Sequence, residues 1–191
     1  MWDRIRKAYL LRIWGAYMQK AQAIIHILIT LFLIKVVFIG WQSELTDNEK
    51  RELLTMFPEE HINSISLYHG SIIREIGGGA MASCGVVFTD EKYRHEIPIL
   101  IHEYAHTLQM NKNCLNSMRE GIILQFKRGG NNIYSYNISD QEFTMEQEAQ
   151  IVQDWYYLNE GHGMWTTFCI DCTSDNLTLG RYDLLKSKIL E

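Results

Sequence analysis

Two histidines and a glutamate lie within five residues of one another in the stretch IPILIHEYAHTLQM, residues 97–110. Side chains at positions i and i+4 share one face of a helix, so His102 and His106 can bind one metal ion together. Glu103 lies about 100° further around the helix axis, where it can reach a water molecule on that metal without being a ligand. Imidazole pairs at this spacing suit Zn²⁺, so the sequence predicts a zinc site with a general base beside it.

The helix that carries this motif has apolar residues around it, which favours a site built into the core. Its apolar positions are Ile97, Leu100, Ile101, Ala105 and Leu108. The competing interpretation is a pair of core histidines that hydrogen-bond to their neighbours and bind no metal.

A catalytic zinc usually has three protein ligands and an open fourth position, so one ligand must come from outside the motif. The metzincin ending, with a third histidine six residues further on, is excluded because TLQMNK follows the motif. A second helix over residues 143–158 begins with a capping box of Thr144 and Gln147, and it offers Glu146 and Glu148 in its first turn. The two carboxylates point to different sides of this helix, and either can be the third ligand.

The segments LIHEYAHTLQ and EQEAQIVQDWYY together resemble the gluzincin metallopeptidases. They are most similar to the zincin-like peptidase domains attached to Rhs and type VI secretion-associated bacterial proteins, over about residues 65–160. The resemblance implies that Glu146 is the third ligand and Ala149 the small residue three positions later. Gln150 stands where the family has an aspartate that holds a ligand histidine. Because Gln150 carries no charge, we expect weaker support for that histidine, or support from Asp154.

The motif and the resemblance together predict an α+β, zincin-like metallopeptidase domain that acts on a peptide or protein substrate. Zinc bound by His102, His106 and Glu146 would polarise the scissile carbonyl, while Glu103 takes a proton from the attacking water and passes it to the leaving amine. The protein would be a secretion-associated effector or a membrane-anchored protease. The alternative is a scaffold or partner-binding domain that keeps the fold and the zinc without turnover.

Other polar residues are weaker candidates for roles in the site. Four of these residues could stabilise the tetrahedral intermediate: His69, His162, Tyr134 and Tyr136. The alternative for each is a packing or surface position. The pair Cys169 and Cys172 matches half of a zinc ribbon, a redox pair or a disulfide, with reduced thiols as the alternative. Cys84 and Cys114 are too scattered in the sequence to complete a clear four-cysteine zinc site.

An apolar run at residues 23–40, AIIHILITLFLIKVVFIG, belongs to an N-terminal segment over residues 1–42, and we expect the catalytic domain to cover residues 43–191. Eighteen helical residues span about 27 Å, close to the thickness of the hydrocarbon core, so we expect one transmembrane helix. Lys35 lies near its end, where the ammonium can reach the interface beside Trp41. The alternative is a buried helix or a strand.

Charge is distributed unevenly along the chain. Residues 2–20 carry apolar side chains at helical spacing with cations between them, which predicts a basic amphipathic helix on a membrane surface, or packed on the body or a partner. The basic flank would stay in the cytoplasm and place the catalytic domain outside it. After Gly40 there are 12 basic and 22 acidic residues, a net charge of −10, so we expect no binding to nucleic acid.

The chain between the apolar run and the motif predicts one helix followed by strands. LTDNEKRELLTMF, residues 45–57, should form a helix with Leu53, Leu54 and Phe57 on one side, ended by Pro58. Residues 62–96 favour two or three short strands around the glycines at 77–79. The strand GVVFT, residues 85–89, leads into the motif helix, and we expect it to lie beside the site and pair with extended substrate.

Overall fold

The computed structural model describes residues 18, 20–71, 79–111, 113–128, 133–140, 142–161, 168–172 and 179–190. The predicted basic helix over residues 2–20 lies outside this part of the chain except for Met18 and Lys20, so it remains a prediction. His162 and the glycines at 77 and 78 also lie outside it.

The described residues form a mixed α+β structure in which helices predominate. Helix α1 covers residues 20–34 and continues into a π-helical turn, Lys35–Ile39. The other helices are α2 (Asp47–Leu54), α3 (Glu59–Ser64), α4 (Ile97–Met110), α5 (Cys114–Arg128), α6 (Met145–Asn159) and α7 (Leu179–Leu190). The strands are β1 (Trp41–Ser43), β2 (Ser66–His69), β3 (Ala80–Ser83) and β4 (Val86–Thr89).

The four strands form one sheet in the order β1-β2-β4-β3, in which β2 and β4 are parallel and the two outer pairs are antiparallel. The predicted GVVFT strand is β4, and it pairs on both sides within the sheet. The expectation that this strand pairs with substrate is therefore wrong, because its backbone groups already bond to β2 and β3. The strand at this edge of the sheet is β3, which packs against α4.

Helix α4 occupies the centre of the core, between the sheet and α6. Its side chains Leu100, Ile101 and Tyr104 are fully buried, and so are Val87 on the sheet and Ile151 on α6. Pro98 lies in the first turn of α4, as predicted, because that position needs no backbone N–H donor. The motif is therefore held by a helix with packing on two sides.

Helix α2 forms within the predicted segment 45–57 but is shorter, because it ends at Leu54 and not at Pro58; a capping box between Thr46 and Glu49 lies at its start. Leu53 and Phe57 are buried, but Leu54 is 43% exposed. The predicted apolar face is therefore wrong at Leu54, because successive helix residues are rotated by about 100° and only one of the two leucines can face the core.

Helix α1 is solvent-exposed on all sides, and it is the one described helix long and apolar enough to cross a membrane. No residue of its apolar window, Lys20–Val37, is buried within the described part of the chain. The alternative of a buried helix or a strand is therefore wrong. Strand β1 begins at Trp41, so the sheet includes the residues on both sides of the predicted boundary between 42 and 43.

The four cysteines form two disulfides, Cys84–Cys114 and Cys169–Cys172. The alternative of reduced thiols at Cys169 and Cys172 is wrong. The Cys84–Cys114 disulfide was not expected, because its cysteines are 30 residues apart in sequence. It joins the turn after β3 to the first residue of α5, and its loop encloses β4 and α4.

Candidate metal centre

Three ligand atoms from α4 and α6 converge on one point in the interior. The Nε2 atoms of His102 and His106 are 3.1 Å apart, and Glu146 Oε2 lies 3.1 Å from His106 Nε2 and 3.5 Å from His102 Nε2. All three side chains are buried. The packing of α4 against α6 brings together residues that are 40 positions apart in sequence.

The spacing of these atoms fits a tetrahedral zinc site. Zinc binds imidazole nitrogen and carboxylate oxygen at about 2.0–2.2 Å, so two ligand atoms of a tetrahedron lie about 3.3 Å apart. The three observed separations, 3.1, 3.1 and 3.5 Å, lie on either side of that value. Two nitrogens and one oxygen also leave a fourth position open, as a catalytic zinc requires.

A proton shared by the cluster is the alternative to a metal ion. Burial opposes a charge on His106, but hydrogen bonding and charge from Glu146, with the charge of Glu103, raise the pKa of His106 to about 9. Burial likewise opposes a charge on Glu146, but hydrogen bonds from both histidines lower its pKa. A proton on His106 Nε2 can form a hydrogen bond to either His102 Nε2 or Glu146 Oε2, but not to both. A metal ion would bind all three of these ligand atoms.

Gln109 supports His106 from one turn further along α4. Its Oε1 lies 2.8 Å from His106 Nδ1, so it accepts the N–H of that ring and leaves Nε2 directed at the cluster. The amide of Gln109 donates in turn to Glu148 Oε2 at 2.8 Å and to the carbonyl oxygen of Met145 at 3.2 Å. Glu148 therefore lies outside the cluster, hydrogen-bonded to Gln109. The position of Gln109, three residues after the second histidine, was the sequence signal for this contact.

The expected support for His102 is not found among the described residues. Gln150 donates to Asp154 Oδ1 at 2.8 Å, and Asp154 also accepts the hydroxyl of Tyr136. The expectation that Asp154 supports a ligand histidine is therefore wrong, because Asp154 bonds to Gln150 and Tyr136 while Gln109 bonds to His106 Nδ1. His102 Nδ1 is buried and has no hydrogen-bond partner in the described part of the chain.

Glu103 lies beside the cluster and is not part of it. It is 7% exposed, and its carboxylate accepts a hydrogen bond from the backbone N–H of Ala82 in β3. The pKa of Glu103 is raised overall. Burial is the largest cause and raises it, the charges of His102 and His106 lower it, and the charge of Glu146 raises it. A carboxylate with a raised pKa is a stronger base, which suits it to accept and return a proton.

Two adjoining pockets form a cleft over the cluster, and Ala80, Glu103 and Tyr134 line both of them. The half next to His106 is apolar and carries four methionines, Met81, Met110, Met118 and Met145. The half next to His102 is more polar and is lined by Gly79, Ile99, Gln150, Gln153 and Phe168, among others. Glu103 therefore lies where the two halves of the cleft meet over the cluster.

Tyr134 is the one described residue, of the four weaker candidates, that faces this cleft. Its ring packs edge-on against the ring of His102, with the two ring centroids 5.7 Å apart. Burial, followed by the charges of Glu146 and Glu103, raises the pKa of Tyr134 to about 12, so its phenol keeps its proton. Tyr136 is buried on Asp154, and His69 lies on β2 near Glu91 and Arg94.

Comparison of the chain with protein-family models, curated proteins and solved structures found no match.

Helix α6 begins with a capping box directly before Glu146, so the cap should influence metal binding. Thr144 Oγ1 accepts the backbone N–H of Gln147, and the Gln147 side chain accepts the backbone N–H of Thr144. We expect Thr144→Ala to cost about 1 kcal/mol of stability and also to weaken zinc binding, because the first turn that carries Glu146 frays. Thr46→Ala removes the same box from α2 and is the matched control. Equal zinc affinities in the two variants, measured by chelator competition, would contradict this prediction.

Proposed function

We propose that the protein is a zinc-dependent peptidase of the zincin-like, gluzincin class. The observation that carries the proposal is the convergence of His102, His106 and Glu146, with the buried Glu103 beside them on an open cleft. Unbiased cleavage profiling on a peptide library, with metal-stripped protein as the control, tests it. Cleavage that is lost on stripping and restored by zinc supports the proposal, and the absence of any cleaved peptide counts against it.

The chain's own residues supply the proton transfers. When bound, zinc would supply the Lewis acidity that polarises a peptide carbonyl and makes water nucleophilic at neutral pH. Glu103 accepts a proton from the attacking water and delivers it to the leaving nitrogen, and both steps use the same carboxylate. The N–H of Ala82 holds that carboxylate in place, so the edge strand orients the base.

Tyr134 is proposed to donate a hydrogen bond to the developing oxyanion. We expect Tyr134→Phe to lower kcat by about 10²-fold with zinc content and stability unchanged. Tyr136→Phe is the matched control, because it removes a buried donor to Asp154 and should cost about 1–3 kcal/mol of stability while kcat is maintained. If kcat falls in Tyr136→Phe and not in Tyr134→Phe, the assignment of this role to Tyr134 is wrong. The measurements are steady-state kinetics and denaturant unfolding.

A scaffold without turnover is the second candidate. The metal cluster itself fits both functions, because zinc can also stabilise a fold. The environment of Glu103 favours catalysis: a carboxylate outside the proposed ligand set is buried beside the cluster and lines the cleft over it. Burial of an ionisable group at this position has a cost that a purely structural site does not require.

We also propose that α1 spans a membrane and that the catalytic domain lies outside the cytoplasm. The helix is apolar and exposed on all sides, and the basic residues before it favour the cytoplasmic face. The two disulfides support the same orientation, because disulfides persist in oxidising compartments and are rare in the cytosol.

The full chain should stay with membranes after a carbonate wash, whereas a chain that begins at Gly40 should be soluble. The truncation keeps Trp41 because β1 belongs to the sheet. Sedimentation of both forms, with detection of the protein in pellet and supernatant, is the measurement. Recovery of the whole full-length population in the detergent-free supernatant would exclude the anchor.

A further inference from the structure

The joint between α1 and the sheet constrains where the catalytic site can act. We infer that the enzyme cleaves segments of other membrane-anchored proteins that lie within about 25 Å of the bilayer surface. The inference rests on the proposed function, both the peptidase and the membrane anchor. Three features carry it: the length of the joint, its packing, and the position of the cleft on the sheet.

The joint consists of one residue, Gly40, between the π-helical turn that ends at Ile39 and strand β1, which begins at Trp41. Gly40 is buried and has a φ of +79°. A Cβ atom here would overlap the carbonyl oxygen of His69 and lie 2.8 Å from the backbone nitrogen of Ser71. The backbone is therefore packed directly on the end of β2, with no flexible linker between helix and sheet.

Trp41 fixes the level of the membrane surface at this joint. Its ring lies 5.1 Å from Lys35 Nζ, and its Cδ1 atom lies 3.5 Å from the position of a Cβ at Gly70. Tryptophan and lysine at the end of an apolar helix are typical of the membrane–water interface. The outer end of α1 and the start of β1 at Trp41 therefore both lie at the interface.

The register of the sheet connects Trp41 with the cleft. Trp41 pairs with His69, His69 with Thr89, and Thr89 with Ala80, so these four residues form one row across the sheet. Neighbouring residues in such a row are about 5 Å apart, which places Ala80 about 15 Å from Trp41. Ala80 lines both halves of the cleft.

The catalytic base is only slightly further from the membrane than this row. Glu103 bonds to the N–H of Ala82, two residues along β3 from Ala80. Two strand residues add about 7 Å, so the carboxylate lies within about 25 Å of Trp41 however the sheet is tilted. An extended chain covers that distance in about seven residues. A substrate tethered to the same membrane would keep a segment of this length at high local concentration next to the cleft.

The test uses the full-length protein in lipid vesicles with a series of anchored substrates. Each substrate has one transmembrane helix, a Gly/Ser spacer of about 8, 20 or 60 residues, and then the peptide sequence cleaved fastest in the library screen. We expect the cleavage rate to be highest with the spacer of about 8 or 20 residues and to fall on the order of tenfold at about 60 residues, because the effective concentration falls once the spacer is longer than the distance it must span. A variant with about 30 Gly/Ser residues inserted between Ile39 and Gly40 should lose this preference. Its cleavage of the free peptide verifies that it is folded.

The outcomes separate this inference from the proposed function. Free peptide cleaved normally, with equal rates for all three spacers, would overturn the membrane-proximal substrate and leave the peptidase intact. An unchanged spacer preference in the insertion variant would overturn the role of the Gly40 joint. No cleavage of free or anchored peptide would reject the proposed function, and this inference with it. The spacer series on the wild-type chain decides the question even where the insertion variant does not fold.

Discussion

Replacing Glu103 by glutamine is expected to lower peptide cleavage by at least about 10²-fold while the zinc content stays at the wild-type level. Glutamine keeps the shape of the side chain and can still bond to the N–H of Ala82. It cannot accept a proton, so both transfers assigned to Glu103 fail. The measurement is the zinc content and cleavage rate of wild type and Glu103→Gln on the same peptide.

A matched control is available on the neighbouring helix α5. Glu120→Gln makes the same substitution at an exposed position and should leave both zinc and rate unchanged. A Glu103→Gln variant that holds its zinc and cleaves at the wild-type rate would show that Glu103 is not the base. In the scaffold alternative neither variant changes any activity, because there is none to lose.

Replacing Glu146 by alanine should reduce zinc affinity by more than about 10²-fold, because it removes one of three ligands. Glu148→Ala should reduce it by about tenfold at most, because Glu148 supports Gln109 and does not face the cluster. Both glutamates lie in the first turn of α6, so the two variants lose the same favourable interaction with the helix dipole. The comparison therefore isolates the position of the carboxylate.

Zinc affinity of both variants is measured by competition with a chromophoric chelator. Equal zinc retention in Glu146→Ala and wild type would remove Glu146 from the site. A larger loss in Glu148→Ala than in Glu146→Ala would transfer the ligand to Glu148, and it would require a different orientation of the first turn of α6.

The local signals in the sequence predicted the elements that carry the candidate site. Helical spacing around the motif predicts α4, and Pro98 marks its start. The Thr144 and Gln147 pair marks the N-terminus of α6, which begins at Met145, two residues after the start of the predicted segment. These features depend on contacts between residues three or four positions apart, so they can be recognised without the tertiary structure.

The features that depend on distant contacts were not predicted. Strand β4 was expected beside the site, but the order of strands places β3 at the edge, and short apolar strands do not reveal their neighbours. Asp154 was expected to support a ligand histidine, but it bonds to Tyr136, 18 residues earlier in the chain. The pairing of Cys84 with Cys114 likewise depends on how the turn after β3 meets α5.

The most direct test of the proposed zinc peptidase activity is a zinc titration of metal-stripped protein, with cleavage of the best library peptide and bound zinc measured on the same samples. The residues at the cluster predict one ion per chain, with cleavage rising in proportion to bound zinc and levelling off at one equivalent. Cleavage that survives complete removal of metal, or a fully zinc-loaded protein that cleaves no peptide in the library, would contradict it.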